Sequence, residues 1–216
     1  MPASPARPGS GAVFSDRGSG KAGDLMDFVR YSHIFAALVR EILEVHLLRA
    51  TTQLPLTVNQ FHLLKLIALD GHHHLSDVAA FLGVSAPAAT KNIDKLERLG
   101  LAARTPSMGD RRATWLTVSP EGRRLVQEYE ERKSARLAPV LHDFPAAHLA
   151  ALTKLLERIS VSLVATEAVK ARACLRCAAN IDDACPIAEV LGGCPYQVAR
   201  QARASADAKP SRGHAR

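Results

Sequence analysis

The chain has no run of apolar residues near the ~20 that a helix needs to cross a bilayer, which excludes a helical membrane protein. Its opening, MPASPARPGSGAVFSDRGSGKAG, holds no apolar stretch of the kind a secretory leader carries, so the expectation is a cytoplasmic protein. There is no glycine-rich nucleotide-binding loop, no paired carboxylates and no Ser-His-Asp arrangement, so nothing in the sequence speaks for an enzyme. Internal repeats are missing, and cysteine is absent before position 174. What is present suits a globular chain. Of 216 residues, 47% are hydrophobic and 23% charged, enough for one full-sized domain with or without appendages.

The net charge of +7 is unevenly spread. Residues 1–23 carry Arg7, Arg17 and Lys21 against Asp16, and residues 203–216 carry Arg203, Lys209, Arg212 and Arg216 against Asp207. Within the body, residues 85–124 hold Lys91, Lys95, Arg98, Arg104, Arg111, Arg112, Arg123 and Arg124. Only Asp94, Glu97, Asp110 and Glu121 oppose them, leaving that segment at +4 and the rest of the body at −2. A basic stretch in a near-neutral body is the footprint of a polyanion binder, although a solvated helix face produces the same composition.

Residues 1–23, rich in Pro, Gly, Ser and Ala, and the basic end 199–216 are expected to be disordered tails. From Asp24, Leu25, Phe28, Val29, Ser32, Ala36, Val39 and Leu43 recur at steps of three and four, predicting one long amphipathic helix that ends near Ala50. Thr57 reads as the N-cap of a short apolar helix from Gln60 to Leu69. The triplet His72-His73-His74 is expected in a solvated loop, because three adjacent side chains on a short turn cannot all face one ion. A short helix from Leu75 to Leu82, the turn Gly83-Val84-Ser85 and a second helix from Ala86 to Leu99, stopped by Gly100, have helix-turn-helix spacing. Two strands, 101–106 and 113–118, follow around Ser107-Met108-Gly109-Asp110 and predict a hairpin wing. Ser119-Pro120 opens a helix to about Leu137, Pro139 and Pro145 bracket a break, and a last helix carries Leu149, Leu152, Leu156, Ile159 and Leu163 on one face. The fold class is therefore mainly α with a small β wing.

Three strings, LTVNQFHLLKLIAL (56–69), LSDVAAFLGVSAPAATKNIDKLERLGLAAR (75–104) and GDRRATWLTVSPEGRRL (109–125), resemble the MarR family of bacterial winged-helix transcriptional regulators. The likeness spans roughly residues 24–170, and the Asp-Arg-Arg turn before a strand and a Ser-Pro-Glu-Gly helix start is its most specific part. It implies an obligate homodimer with intertwined terminal helices and two winged domains on a pseudo-palindromic operator. DNA contacts are then expected from Ser85, Pro87, Ala88, Thr90, Lys91, Lys95 and Arg98 along the second helix, from Arg104, and from Asp110, Arg111 and Arg112 at the wing tip. The physics agrees: small groups reach base edges, cations reach phosphates, and a wing-tip arginine can enter the minor groove. The resemblance also implies a small-molecule pocket near the first helix, where His33, Phe35 and Arg40 are candidates, with His33 and His46 at the dimer interface.

One segment lies outside that resemblance. Cys174, Cys177, Cys185 and Cys194 have the spacing C-x2-C-x7-C-x8-C, the last two followed by proline, and make a module of residues 171–198 that typical MarR proteins lack. Clustered cysteines in a cytosolic chain point to metal binding or thiol chemistry. Three readings stay open. A four-thiolate iron–sulfur cluster, four-iron four-sulfur by ligand count, is preferred, with Leu175, Ile181, Ile187, Val190 and Leu191 as an apolar lining. A structural Zn2+ site is the alternative, although zinc sites are usually built from two C-x2-C knuckles and this sequence has one. The third is a disulfide switch through Cys177. The expected function is a repressor sensing oxygen, nitric oxide or redox state at the cysteines. The competing expectations are a regulator answering an aromatic ligand, with zinc as a staple, and more remotely an electron-transfer protein.

Overall fold

The computed structural model describes residues 21–69, 73–82, 84–106 and 114–166, with 185, 188, 192–194, 198 and 201. Helix α1 (Lys21–Leu38) starts three residues ahead of the expected Asp24. The chain continues without a break through a π-helical segment (Val39–His46) into α2 (Leu47–Thr51), since Leu38, His46 and Leu47 all keep right-handed helical backbone. The expected single helix is thus present as one rod, but its middle is wound more widely than periodicity foretold.

Thr57 caps α3 (Val58–Ile67) in a reciprocal box. Its hydroxyl accepts from the Gln60 amide at 3.2 Å, while the Gln60 side chain accepts from the Thr57 amide at 3.1 Å. Helix α4 (Leu75–Leu82) and α5 (Ala86–Arg98) form the helix-turn-helix. Gly100, at φ 70°, turns the chain out of α5: its amide reaches the Glu97 carbonyl and the Leu101 amide reaches that of Leu96. That left-handed exit is why a glycine stands there.

Strands β2 (Ala102–Pro106) and β3 (Thr114–Val118) pair antiparallel, Arg104 opposite Leu116. A third strand, β1 (His73–His74), lies on the other side of β3, with His73 opposite Leu116 and His74 opposite Trp115. This corrects the expectation of a solvated histidine loop. Both side chains are buried; the His73 ring lies 3.0 Å from the Leu69 carbonyl and the His74 ring 4.0 Å from that of Trp115. The free edge of β3 needs a partner, and an imidazole can enter a core where its polar atoms find one.

Ser119 begins α6 (Pro120–Leu141), accepting the Gly122 amide at 3.0 Å and donating to the Gly100 carbonyl at 2.6 Å. The helix runs past the expected stop near Leu137 with Pro139 inside it, and the break falls instead at residues 142–145. Ala135, Ala138 and Pro139 are exposed, so water can take the carbonyl whose amide the proline removes. Helix α7 (Ala146–Thr166) closes the described chain. The core lies in the winged domain, where Phe61, Leu63, Leu64, Ile67, Val78, Ile93, Leu96, Leu101 and Leu116 are almost wholly buried, and Leu47 and Leu48 of α2 join it. Helices α1 and α7 bury little by themselves: Phe35 stays 60% exposed, Leu155 53% and Leu163 62%.

Candidate nucleic-acid interface

Helix α5 has two faces, and the spacing of its residues fixes them. Ala89, Ile93 and Leu96 are fully buried. Lys91, Lys95 and Arg98 share the opposite face at steps of four and three, with no ion pair from Lys91 or Lys95 among the described residues. At the amino end, Ser85 has extended backbone (φ −66°, ψ 152°) and its hydroxyl accepts the Ala88 amide at 3.4 Å, while Ala86 and Pro87 stand exposed. This N-terminus carries the partial positive charge of a helix end next to a cationic stripe. The Thr90 hydroxyl is occupied by its own helix, donating to the Ala86 carbonyl at 3.0 Å, and Arg98 Nε donates to the Asp94 carbonyl at 3.3 Å.

Arg104 is placed differently from the other cations. Its guanidinium bonds the Asp94 carboxylate at 2.7 Å, the Glu97 carboxylate, and the Thr90 carbonyl at 3.4 Å. Glu97 also accepts the Arg104 amide at 2.9 Å. Strand β2 is thereby clamped to α5, and the side of the helix between its buried and cationic faces is spent on the clamp. Asp94 and Glu97, which composition presents only as charges opposing the basic stretch, hold α5 against the sheet. Two further basic residues are committed locally: Arg123 donates to the Ala68 carbonyl at 3.2 Å, closing the end of α3, and Arg124 pairs with Glu121. Gln60 donates to Asn92 at 3.3 Å and ties α3 to α5. Asp110, Arg111 and Arg112 lie outside the described residues.

Helices α4 and α5 stand beside a three-stranded antiparallel sheet, and residues 56–114 match the MarR family. The fold is the MarR winged helix. Solved structures of that kind resemble this chain at low identity. Streptococcus pneumoniae FabT, crystallised in complex with DNA, is 22% identical with a TM-score of 0.55, covering 67% of this chain and 99% of its own. A MarR family protein from Bacillus stearothermophilus is 19% identical with a TM-score of 0.57, over 68% of this chain and 99% of its own. YusO from Bacillus subtilis is 23% identical with a TM-score of 0.53, over 65% and 98%.

Behind the MarR-type winged domain, a polar cluster joins it to the helical arm. Tyr129 of α6 donates to the Leu43 carbonyl in the π-helical segment and packs on Phe61 with ring centroids 4.5 Å apart. Burial, and then the negative charges of Glu130 and Glu44, push its phenol up to about 12, so it stays a neutral donor. Glu130 bonds both Lys65 and Lys133. Burial raises its carboxyl, but the two lysines outweigh that and leave it below the ordinary value. Nothing in the sequence singled out Tyr129, since one tyrosine on a helix reads as packing.

Of the four cysteines, Cys174 and Cys177 lie outside the described residues. Cys185 and Cys194 are half-buried free thiols, and Cys194 packs against the core of the winged domain. The Cys185 carbonyl accepts the Ala188 amide at 3.0 Å and the Cys194 carbonyl accepts that of Val198 at 2.9 Å. Among the described residues, no three His, Cys, Asp or Glu side chains converge as metal ligands. No helix among them is long and apolar enough to cross a membrane.

Proposed function

We propose that this protein is a transcriptional regulator of the MarR type, a repressor that binds double-stranded DNA as a homodimer and is not an enzyme. The observation that carries the reading is helix α5, whose buried face of Ala89, Ile93 and Leu96 leaves Lys91, Lys95 and Arg98 outward beside an exposed N-terminus. Such a helix fits a major groove, small groups at its tip meeting base edges and its cations meeting phosphates. Arg111 and Arg112 extend that set at the wing tip on sequence grounds. FabT, of the same fold, has been crystallised with DNA. Arg104 contributes by holding α5 in place. Bland residues at positions 86 and 87 leave few base contacts, so DNA shape carries part of the selectivity.

The homodimer is supported by the apolar faces of α1 and α7. A lone chain would expose Leu25, Met26, Phe28, Ile34 and Phe35 on one helix and Leu152, Leu155, Leu156 and Leu163 on the other. Contiguous apolar surface on that scale marks an interface, and a second copy brings the same helices to cover it. Fluorescence anisotropy on duplexes selected by the protein from a random-sequence pool tests the reading. Lys91→Ala is expected to weaken binding on all sequences alike and to lower the slope of log affinity against log salt by about one, with helix content unchanged. An unaltered slope would sink the assignment of α5.

We further propose that Cys174, Cys177, Cys185 and Cys194 hold a four-iron four-sulfur cluster and that the regulator takes its signal there. The four-thiolate count and the two Cys-Pro pairs in the sequence support this, as does Cys194 lying against the core. Such a cluster would supply sensitivity to oxygen, nitric oxide or redox state. Protein purified without oxygen is expected to be brown and to contain iron and acid-labile sulfide, and Cys177→Ser is expected to lose both while keeping its helix content. Colourless protein with stoichiometric zinc would replace the sensor by a structural staple and move the signal to a small aromatic effector.

A further inference from the structure

The helical arm changes its hydrogen bonding just before it is anchored in the winged domain. The Leu47 amide donates to the carbonyl of Ile42, five residues back, and to that of Glu44. The Leu47 amide skips the carbonyl between them, that of Leu43, which accepts the Tyr129 hydroxyl across eighty-six residues of chain. Wide turns of this kind are rare and concentrate at functional positions, and the Tyr129 hydroxyl gives the Leu43 carbonyl a donor from a distant element.

The side chain that answers it is held on several sides. Tyr129 is 4% exposed, its ring lies on Phe61, and the ammonium groups of Lys65 and Lys133 each stand 5.8 Å from its centroid. Glu130 joins those two lysines and so ties α6 to α3. Next to Leu43, Glu44 lies 3.8 Å from His62 of α3. The switch in environment falls at the same place. Residues 33–38 of the arm are exposed, whereas Leu47 and Leu48 are buried.

We propose that Tyr129 latches the arm to the winged domain and, through the arm, sets the separation of the two recognition helices. It is a positioning residue for DNA binding, and this part rests on the dimeric DNA-binding reading above. The lever is long. An arm of eighteen residues extends about 27 Å. A tilt of about 10° at the joint would shift its far end by ~5 Å, more than the ~3.4 Å between successive base pairs.

The test uses the full-length protein and Tyr129→Phe, which keeps the ring and removes only the hydroxyl. Hydrogen exchange is read for amides 39–51. Binding is read on duplexes that the wild-type protein selects from a random pool, remade with one or two extra base pairs between half-sites, and on a single half-site. Exchange in 39–51 should rise about tenfold with α5 unaffected, as expected when a buried bond of this kind is removed. Half-site affinity should hold, while the preference for the selected spacing should fall about tenfold. Unchanged exchange overturns the latch. Faster exchange with an unchanged spacing preference overturns the positioning role and leaves a bond that serves stability alone. If the wild-type protein selects no duplex, the DNA-binding reading has failed, and the exchange measurement by itself decides the latch.

Discussion

Replacing Gly122 with alanine is expected to destabilise the protein by more than ~3 kcal/mol, lowering its melting temperature by roughly 10 °C. A Cβ at this position would stand 2.2 Å from the Leu101 carbonyl oxygen and 2.9 Å from Cγ2 of Val118. The close approach is built in, because the Ser119 amide bonds the Leu101 carbonyl at 3.0 Å and the Ser119 hydroxyl bonds that of Gly100. The start of α6 is stitched to the exit of α5, and backbone cannot yield as a flexible side chain can. Gly100→Ala is the control. There the penalty is conformational, since φ is 70° and no atom lies within 4 Å of the added carbon, so the cost should be about 1 kcal/mol. Thermal unfolding of both variants separates the two causes; equal losses would mean that steric contact at Gly122 is not what excludes a side chain.

Under the homodimer proposed above, Leu156→Asp is expected to split that dimer and reduce affinity for the selected full-length duplex at least about a hundredfold, with half-site binding retained. Leu156 is 42% exposed on α7, near Leu152, Leu155 and Leu163, all outward in the single chain. A shallow depression on the same helix, about 390 Å³, is lined by Leu155, Arg158, Ile159, Ser162 and Leu163. A carboxylate is well hydrated on a monomer and must shed that water when a second apolar helix covers it. The variant therefore penalises association without touching the winged core, whose buried residues lie elsewhere. Sedimentation velocity reads the oligomeric state. A dimer that survives the substitution would show that this face of α7 is not the interface.

Much of the interface was legible because its rules are local. Thr57, Ser85 and Ser119 each bond an amide three residues on, so a hydroxyl ahead of an apolar period was enough to place three helix starts. Alternation placed β3, the turn before it placed β2, and the steps 91, 95 and 98 placed the cationic stripe opposite Ile93. The sequence could not disclose how acidic residues at 94 and 97 would be used. At that level they weaken a basic patch, whereas folded against β2 they direct Arg104 inward and remove it from the free cations. The histidines failed for a related reason. Polarity predicts solvent, and only the unpaired edge of β3 explains why residues 73 and 74 become a strand.

The chain by itself determined the order of helices, their caps, the wing and the side of α5 left for a partner, because each follows from contacts within about one helical turn or from a strict period. The tertiary structure alone decided the width of the turn at residues 39–46, the pairing of His73 and His74 with β3, the clamp on Arg104 and the bond from Tyr129 to Leu43. These join groups up to eighty-six residues apart, and which donor meets which acceptor at that range depends on how the core packs.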